Sequence, residues 1–188
     1  VQGVPALPTP VTSGYAFNEN ARIWYASFGS GPPVVLLHGG LGNSGNWGYQ
    51  IPALVDAGYA AIVIDSRGQG RSTRDERAYS YELMASDARA VMRALGVARA
   101  AFVGWSDGAD TALVLSRESP ECSAGVFFLA CNVDRTGAKP FQPSTVIDRI
   151  YSHHLKDYAA LSPDPGGFEA MRDDLGVMQA GQPDYGPD

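Results

Sequence analysis

The sequence predicts an α/β fold, a mostly parallel sheet with helices packed on both faces. Two observations lead to it. Four short apolar runs, "PPVVLLHG", "YAAIVIDSRG", "ARAAFVGW" and "AGVFFLACN", do not alternate, so each strand is expected to be buried on both faces. Helical segments separate these runs, and strands that alternate with helices at this pace form βαβ units around a parallel sheet. Ligands of such sheets bind beyond the carboxyl ends of the strands. Those ends carry His38-Gly39-Gly40, Asp65-Ser66-Arg67, residues 104–108 and residues 131–134, the least ordinary residues of the chain.

The elements follow in order. Residues 1–13 are uncharged and rich in proline, valine and small residues, and read as a tail. "GYAFNE" and "ARIWYASFG" read as an antiparallel hairpin turning through residues 18–20. The first buried strand, 32–39, leads into a glycine-rich loop and a helix around 47–57, ended by Gly58. The second buried strand is 59–68. Residues 80–97 form the clearest helix: Ser80 suits the N-cap, and Met84, Ala88, Val91, Met92 and Leu95 share one face. The third buried strand, 98–105, runs directly into a helix over 107–119 that Pro120 limits. The fourth is 124–132. Residues 14–133 thus form a core. Residues 134–188 hold no further buried strand. They read as two or three amphipathic helices broken at 163–167 and 181–183, the pattern of a helical lid rather than of the end of a sheet.

Bulk properties exclude some functions. A chain of 188 residues is long enough for one domain with a core of its own. Its net charge of −6 argues against a nucleic-acid or anionic-membrane surface, because both need a basic patch. No apolar run approaches the ~20 residues of a membrane span. Cys122 and Cys131 lack metal-ligand spacing, and Cys131, after "GVFFLA", is expected to be a buried free thiol. No metal or organic cofactor is implied. The tail beginning at Val1 fits a mature end left after leader removal and an arbitrary boundary equally well, so cytoplasmic and exported locations stay equally open.

The decisive motif is Gly104-Trp105-Ser106-Asp107-Gly108, a G-x-S-x-G between a buried strand and a helix. A nucleophile on a sharp strand-to-helix turn needs a strained backbone and small neighbours. The turn lifts the Ser106 hydroxyl above the sheet edge. There the positive end of the helix dipole meets developing negative charge. Asp107 admits two readings: a cap for its helix, or a carboxylate facing the pocket that would favour a cationic substrate group.

On these residues the chain resembles the α/β-hydrolase family. "HGG" after the third strand, "DSRGQGRS" after the fourth and "GWSDG" after the fifth match the family pattern in order and spacing. "GWSDG" and "ALVLSRESPE" are most similar to the biphenyl-hydrolase-like and valacyclovir-hydrolase-like esterases. The resemblance implies Ser106 as nucleophile, with the backbone N–H groups of Asp107 and Gly40 as oxyanion-hole donors. It implies that His38 shapes the loop without acid–base work, and that Asp65 and Arg67 structure a turn through an ion pair or hydrogen bonds. His38, Leu41, Trp105 and Tyr151 are candidate pocket residues, and Asp134 stands where some members place their catalytic acid. Phe141, Ile147, Ile150, Tyr151, Leu155, Tyr158 and Phe168 suggest an apolar or aromatic pocket under the lid.

The family's chain order of Ser, acid, His is incomplete here. Only His38, His153 and His154 are present, and the last two are expected on the surface or pocket rim. The acid and histidine are therefore expected beyond Asp188, from a C-terminal segment or a second chain that completes the sheet. The 188 residues alone are expected to be inactive. The function that follows is a serine hydrolase for small ester-like or related acyl or C–C substrates. Two alternatives remain: a non-catalytic ligand-binding member of the fold, and a nicotinamide-dependent oxidoreductase using Gly40-x-Gly42-x-x-Gly45 with Asp65 twenty residues on.

Overall fold

A computed structural model describes residues 4–137 and 142–185. Its sheet is built from β1 (Thr12–Asn18), β2 (Ala21–Phe28), β3 (Pro33–Leu37), β4 (Ala60–Ile64), β5 (Ala100–Trp105) and β6 (Ser123–Leu129). The helices are α1 (Gln50–Asp56), α2 (Tyr81–Ala94), α3 (Asp107–Glu118), α4 (Thr145–Leu161) and α5 (Phe168–Gly181). The strand order is β1-β2-β4-β3-β5-β6. The hairpin β1–β2 is antiparallel and joins β4 antiparallel, whereas β4, β3, β5 and β6 run parallel. The chain moves from β3 to β4 on one side, then crosses back to β5 on the other. The order therefore reverses at β3, and the crevice beyond the ends of β3 and β5 is where such a sheet binds ligands.

The lack of alternation in the central strands has the expected cause. Val35 and Leu37 of β3, with Ile62 and Ile64 of β4 and Phe102 of β5, face a core shared with α2, α3 and α5. Val34 and Leu36, with Ala61 and Val63, face the opposite side, where Trp47 and Ile51 cover them. Ser80 caps α2 by accepting from the Leu83 N–H at 3.0 Å, and Met84, Ala88, Val91 and Met92 are buried.

Three expectations need correction. The helix around 47–57 divides into a 3-10 turn, Ser44–Trp47, and the shorter α1; Asn43 caps the turn by accepting from the Gly45 N–H. The first strand begins at Thr12, inside the presumed tail, because Thr12 pairs with Ser27. The largest difference is β6. It forms an edge: α3 packs on one face, while Phe127 (61% exposed) and Leu129 (43%) stand open on the other. An apolar run announces that a strand favours burial; it does not say which segment covers it.

Candidate active site

The first and last glycines of "GWSDG" are set by backbone contact. A Cβ on Gly104 would lie 2.3 Å from the Gly108 carbonyl oxygen and 2.4 Å from the Ala109 Cα, so β5 and the start of α3 touch backbone to backbone. A Cβ on Gly108 would lie 2.1 Å from the Leu37 carbonyl oxygen. The turn between them forces Ser106 to φ 54 and ψ −127, a region that L-residues rarely occupy. Its N–H donates to Leu129 O at 2.9 Å, and its carbonyl accepts from Ala109 and Asp110, which fixes the turn from both sides. No side chain among the described residues hydrogen-bonds the Ser106 hydroxyl.

The "HGG" loop lies against this turn. A Cβ on Gly39 would be 3.1 Å from the Ser106 Cβ, and one on Gly40 only 2.5 Å from Asp107 Oδ2. Asp107 opens α3, so its N–H has no carbonyl one turn back to bond. Leu41, half-buried against the core under α2 and α3, holds φ 64. The two candidate oxyanion donors, Gly40 and Asp107, are thus brought to the nucleophile by β3 and α3. Trp105 points the other way, into the core around Trp47.

His38 is buried and engaged at both ring nitrogens. Nδ1 bonds the Gly39 carbonyl at 2.8 Å, and Nε2 accepts from the Ser66 N–H at 2.9 Å. Burial holds its pKa below the ordinary histidine value, so it is a neutral brace for the loop. Four further amides of the loop are also engaged. Gly42 N–H bonds Gly39 O, Gly45 N–H bonds the Asn43 side chain, Asn43 N–H bonds the Asn46 side chain, and Ser44 N–H bonds Asp65. Asp65 also accepts from Arg71 at 2.8 and 3.0 Å. A pyrophosphate would find these amides taken, and the acid expected on a ribose is fully buried in a turn; this geometry opposes the dinucleotide reading. Asp65 and Arg67 do not pair with each other. Arg67 grips Asp87 bidentately at 2.6 and 2.9 Å and Asp75 at 3.0 Å.

Asp107 does not cap α3 with its side chain. Its buried carboxylate accepts from the Tyr81 hydroxyl at 3.0 Å and from Gln179 Nε2 at 2.9 and 3.1 Å. One turn on, the fully buried Asp110 accepts from the Cys131 thiol at 2.7 Å. Burial pushes Asp107 above the usual carboxylate range, Asp110 up to about 6 and the Cys131 thiol up to about 12. Cys131 is free as expected but only half-buried, two residues beyond the end of the exposed edge strand. The stripe of α3 carrying Asp107, Asp110, Thr111, Val114 and Leu115 has helical spacing; that spacing was the available signal that both acids turn inward. Gln179, 72 residues from its partner, left no signal.

The remaining predicted residues are scattered. Asp134 receives hydrogen bonds from the Thr136 N–H and hydroxyl, which lower its pKa and engage it in a local turn. His153 is exposed beside Asp157, but His154 is buried, contrary to expectation; burial lowers its pKa, and its Nδ1 has no partner among the described residues. Tyr151 bonds Glu169 and Arg172 at the outer seam of α4 and α5 and so does not face the site. Tyr158 and Phe168 pack edge to face in the core, whereas Ile147, Ile150 and Leu155 face outward. A two-helix layer uses its large apolar residues to hold itself together before it can line a pocket. Phe141 lies outside the described residues.

A family model described as the alpha/beta hydrolase fold matches residues 32–174, which run from β3 into α5 and include Gly40, Ser106 and Asp107. The chain belongs to the α/β-hydrolase family. Among its relatives, bifunctional epoxide hydrolase 2 of Sus scrofa is 29% identical over 170 residues, covering 87% of this chain and 29% of that protein. The non-heme haloperoxidase of Rhodococcus erythropolis is 36% identical over 91 residues, covering 48% of this chain and 33% of that one. Among solved structures, the N-acyl homoserine lactone degrading enzyme Est816 superposes with a TM-score of 0.62 at 29% identity, over 89% of this α/β-hydrolase chain and 64% of its own. The chain therefore spans about a third of the length of the curated relatives it matches. Its mixed six-stranded sheet with flanking helices is this family's fold.

Proposed function

We propose that this α/β-hydrolase cleaves carboxylic esters through an acyl-enzyme on Ser106. The observation that carries this is the Ser106 hydroxyl itself, raised at φ 54 on the first turn of α3 and flanked by the amides of Gly40 and Asp107. The hydroxyl oxygen attacks the ester carbonyl and loses its proton to a base. The tetrahedral oxyanion is held by the two amides, each worth a few kcal/mol of barrier in a water-poor site. Collapse breaks the ester C–O bond and releases the alcohol, which takes up a proton. Water then hydrolyses the acyl-enzyme by the reverse sequence.

The chemistry of the nucleophile separates esters from epoxides. A hydroxyl that opens an epoxide leaves an ether, which water does not cleave. A carboxylate would leave a hydrolysable ester, but the neighbouring carboxylate, Asp107, is turned to Tyr81 and Gln179. A seryl nucleophile therefore suits acyl substrates, in line with a relative that degrades a lactone, itself a cyclic ester. The base and its acid are proposed to lie outside these 188 residues, because His38 is engaged at both nitrogens and neither the exposed His153 nor the buried His154 of α4 hydrogen-bonds the Ser106 hydroxyl. We read α4 and α5 as the lid.

The test is covalent labelling of the intact protein with a fluorophosphonate, located by peptide mass spectrometry, alongside turnover of p-nitrophenyl esters. An adduct on Ser106 and loss of turnover in Ser106→Ala are expected. No adduct in folded protein, or undiminished turnover in Ser106→Ala, refutes the reading.

A further inference from the structure

The Asp107 carboxylate poses a problem for the site just proposed. Its Oδ2 lies 2.5 Å from where a Gly40 Cβ would be, directly over one of the two residues meant to hold the oxyanion. A free carboxylate there would repel the negative charge that the hole exists to stabilise. The structure answers with donors from two directions. Tyr81 on α2 donates its hydroxyl to Oδ1 at 3.0 Å, from within the core. Gln179 on α5 donates Nε2 to Oδ2 at 2.9 Å and to Oδ1 at 3.1 Å, from the helical pair above. Gln179 is otherwise exposed, so its amide turns inward for this contact alone. The same Nε2 stands 3.0 Å from the Gly40 Cβ position, within reach of both residues that frame the hole.

The contact also ties α5 to the site. Nearby, Gln182 at the C-cap of α5 accepts from the Tyr81 N–H at 3.1 Å, and Arg74 pairs with Asp174 at 2.6 Å, polar contacts that add to the burial of Phe168, Met171, Leu175 and Met178. Only the Gln179 contact reaches a residue adjoining the nucleophile. Any displacement of α5 would therefore remove the outer donor of the carboxylate.

Resting on the acyl-enzyme reading, we infer that Gln179 is a positioning residue for the reaction: it restrains and screens the Asp107 carboxylate beside the oxyanion hole, so that seating α5 and completing the hole are one event.

The test uses the intact protein with a p-nitrophenyl ester and two variants of Gln179. Gln179→Met keeps the length of the side chain and removes its donor; Gln179→Leu is the second, in case one variant folds poorly. Each is made alone and in an Asp107→Asn background, where there is no charge left to restrain. The expected result is a kcat about tenfold lower with KM little changed in the single variants, and less than a twofold further change once Asp107 is Asn. A helix-packing role would not depend on the charge at position 107. An equal loss in both backgrounds, or no loss of kcat, overturns the inference. Fluorophosphonate labelling of Ser106, measured on the same samples, separates the two failures. Labelled Ser106 with an uncoupled Gln179 overturns only the positioning role; unlabelled Ser106 in folded wild type overturns the acyl-enzyme reading beneath it.

Discussion

Replacing Gly104 by alanine adds a single methyl group, and the structure says where it goes. That carbon would lie 2.3 Å from the Gly108 carbonyl oxygen, 2.4 Å from the Ala109 Cα and 2.5 Å from the Gly108 carbonyl carbon. Ordinary contact would need about 1 Å of separation at each of three backbone atoms, and no side chain can swing aside to supply it. The first turn of α3 must move off β5. It cannot move far, because Gly108 already touches the Leu37 carbonyl of β3. Overpacking of this kind costs ~1–3 kcal/mol where side chains absorb it, and the upper end applies where only backbone can. For a domain of this size ~3 kcal/mol lowers the melting midpoint by about 6–12 °C. The effect on chemistry should exceed the effect on stability. Ser106 and the Asp107 amide ride on the displaced turn, and ~1 Å of misplacement costs about a hundredfold in rate. Thermal denaturation and the rate of Ser106 labelling by a fluorophosphonate, compared between wild type and Gly104→Ala, measure the two. Labelling at the wild-type rate in the alanine variant would refute the claim that this backbone contact sets the nucleophile.

Two further outcomes are expected from the buried charges. Asp110, raised from 3.8 to about 6, stabilises the fold least when ionised; the penalty is absent below pH 3.8, grows between 3.8 and 6, and is complete above. That displacement corresponds to ~3 kcal/mol, so wild type should lose about that much relative to Asp110→Asn between pH 4 and pH 7.5 in urea denaturation. A difference that does not change with pH would contradict the assignment. Arg67→Met strands Asp87, which Arg67 holds at 2.6 and 2.9 Å in the interior, and should cost about 3–5 kcal/mol; a loss below about 1 kcal/mol in the same assay would show the pair to be dispensable.

The parts of this molecule that the sequence made legible are those where one local rule decides the outcome. Val34–Leu37 could be read as a doubly buried strand because an unbroken apolar run favours burial on both faces, and here helices cover both. Gly104-x-Ser106-x-Gly108 could be read as a strained turn because strand and helix leave no other place for it. The rest depends on partners distant in the chain. Tyr158 and Phe168 looked like pocket lining and turned out to pack against each other, since an aromatic residue in an amphipathic helix does not state what it faces. His154 looked like a surface or pocket-rim histidine because, like His153, it lies in the lid-like region, yet neighbours on a helix point about 100° apart, and only one of the pair turns inward. Asp107 could not be assigned from its own turn, because the donors that settle it come from α2 and α5. The edge character of β6 was equally hidden: Phe127 and Leu129 carry the same apolar signature as the covered strands.

The treatment of buried charge differs between the site and the rest of the fold, and the difference has physical meaning. Asp65 accepts from Ser44 and Arg71, and Asp87 from Arg67 and Asn18; each has a cation and a neutral donor, which is how a protein interior tolerates ionised groups. Beneath Ser106 the pattern reverses. Asp107 and Asp110 lie one turn apart with a tyrosine, a glutamine amide and a thiol for partners, and Asp110 Oδ1 has no partner among the described residues. The positive end of α3 offsets part of this cost for groups in its first turn. It offsets none of the backbone strain, and the left-handed φ values of Leu41 and Ser106 occur in the same few ångströms. Unpaired carboxyls, raised pKa values and strained residues at the end of two central strands are expensive together. A fold that pairs its other buried acids could have paired these. That it leaves two buried carboxyls without a cation under one hydroxyl is a physical reason, independent of any motif, to look for chemistry there.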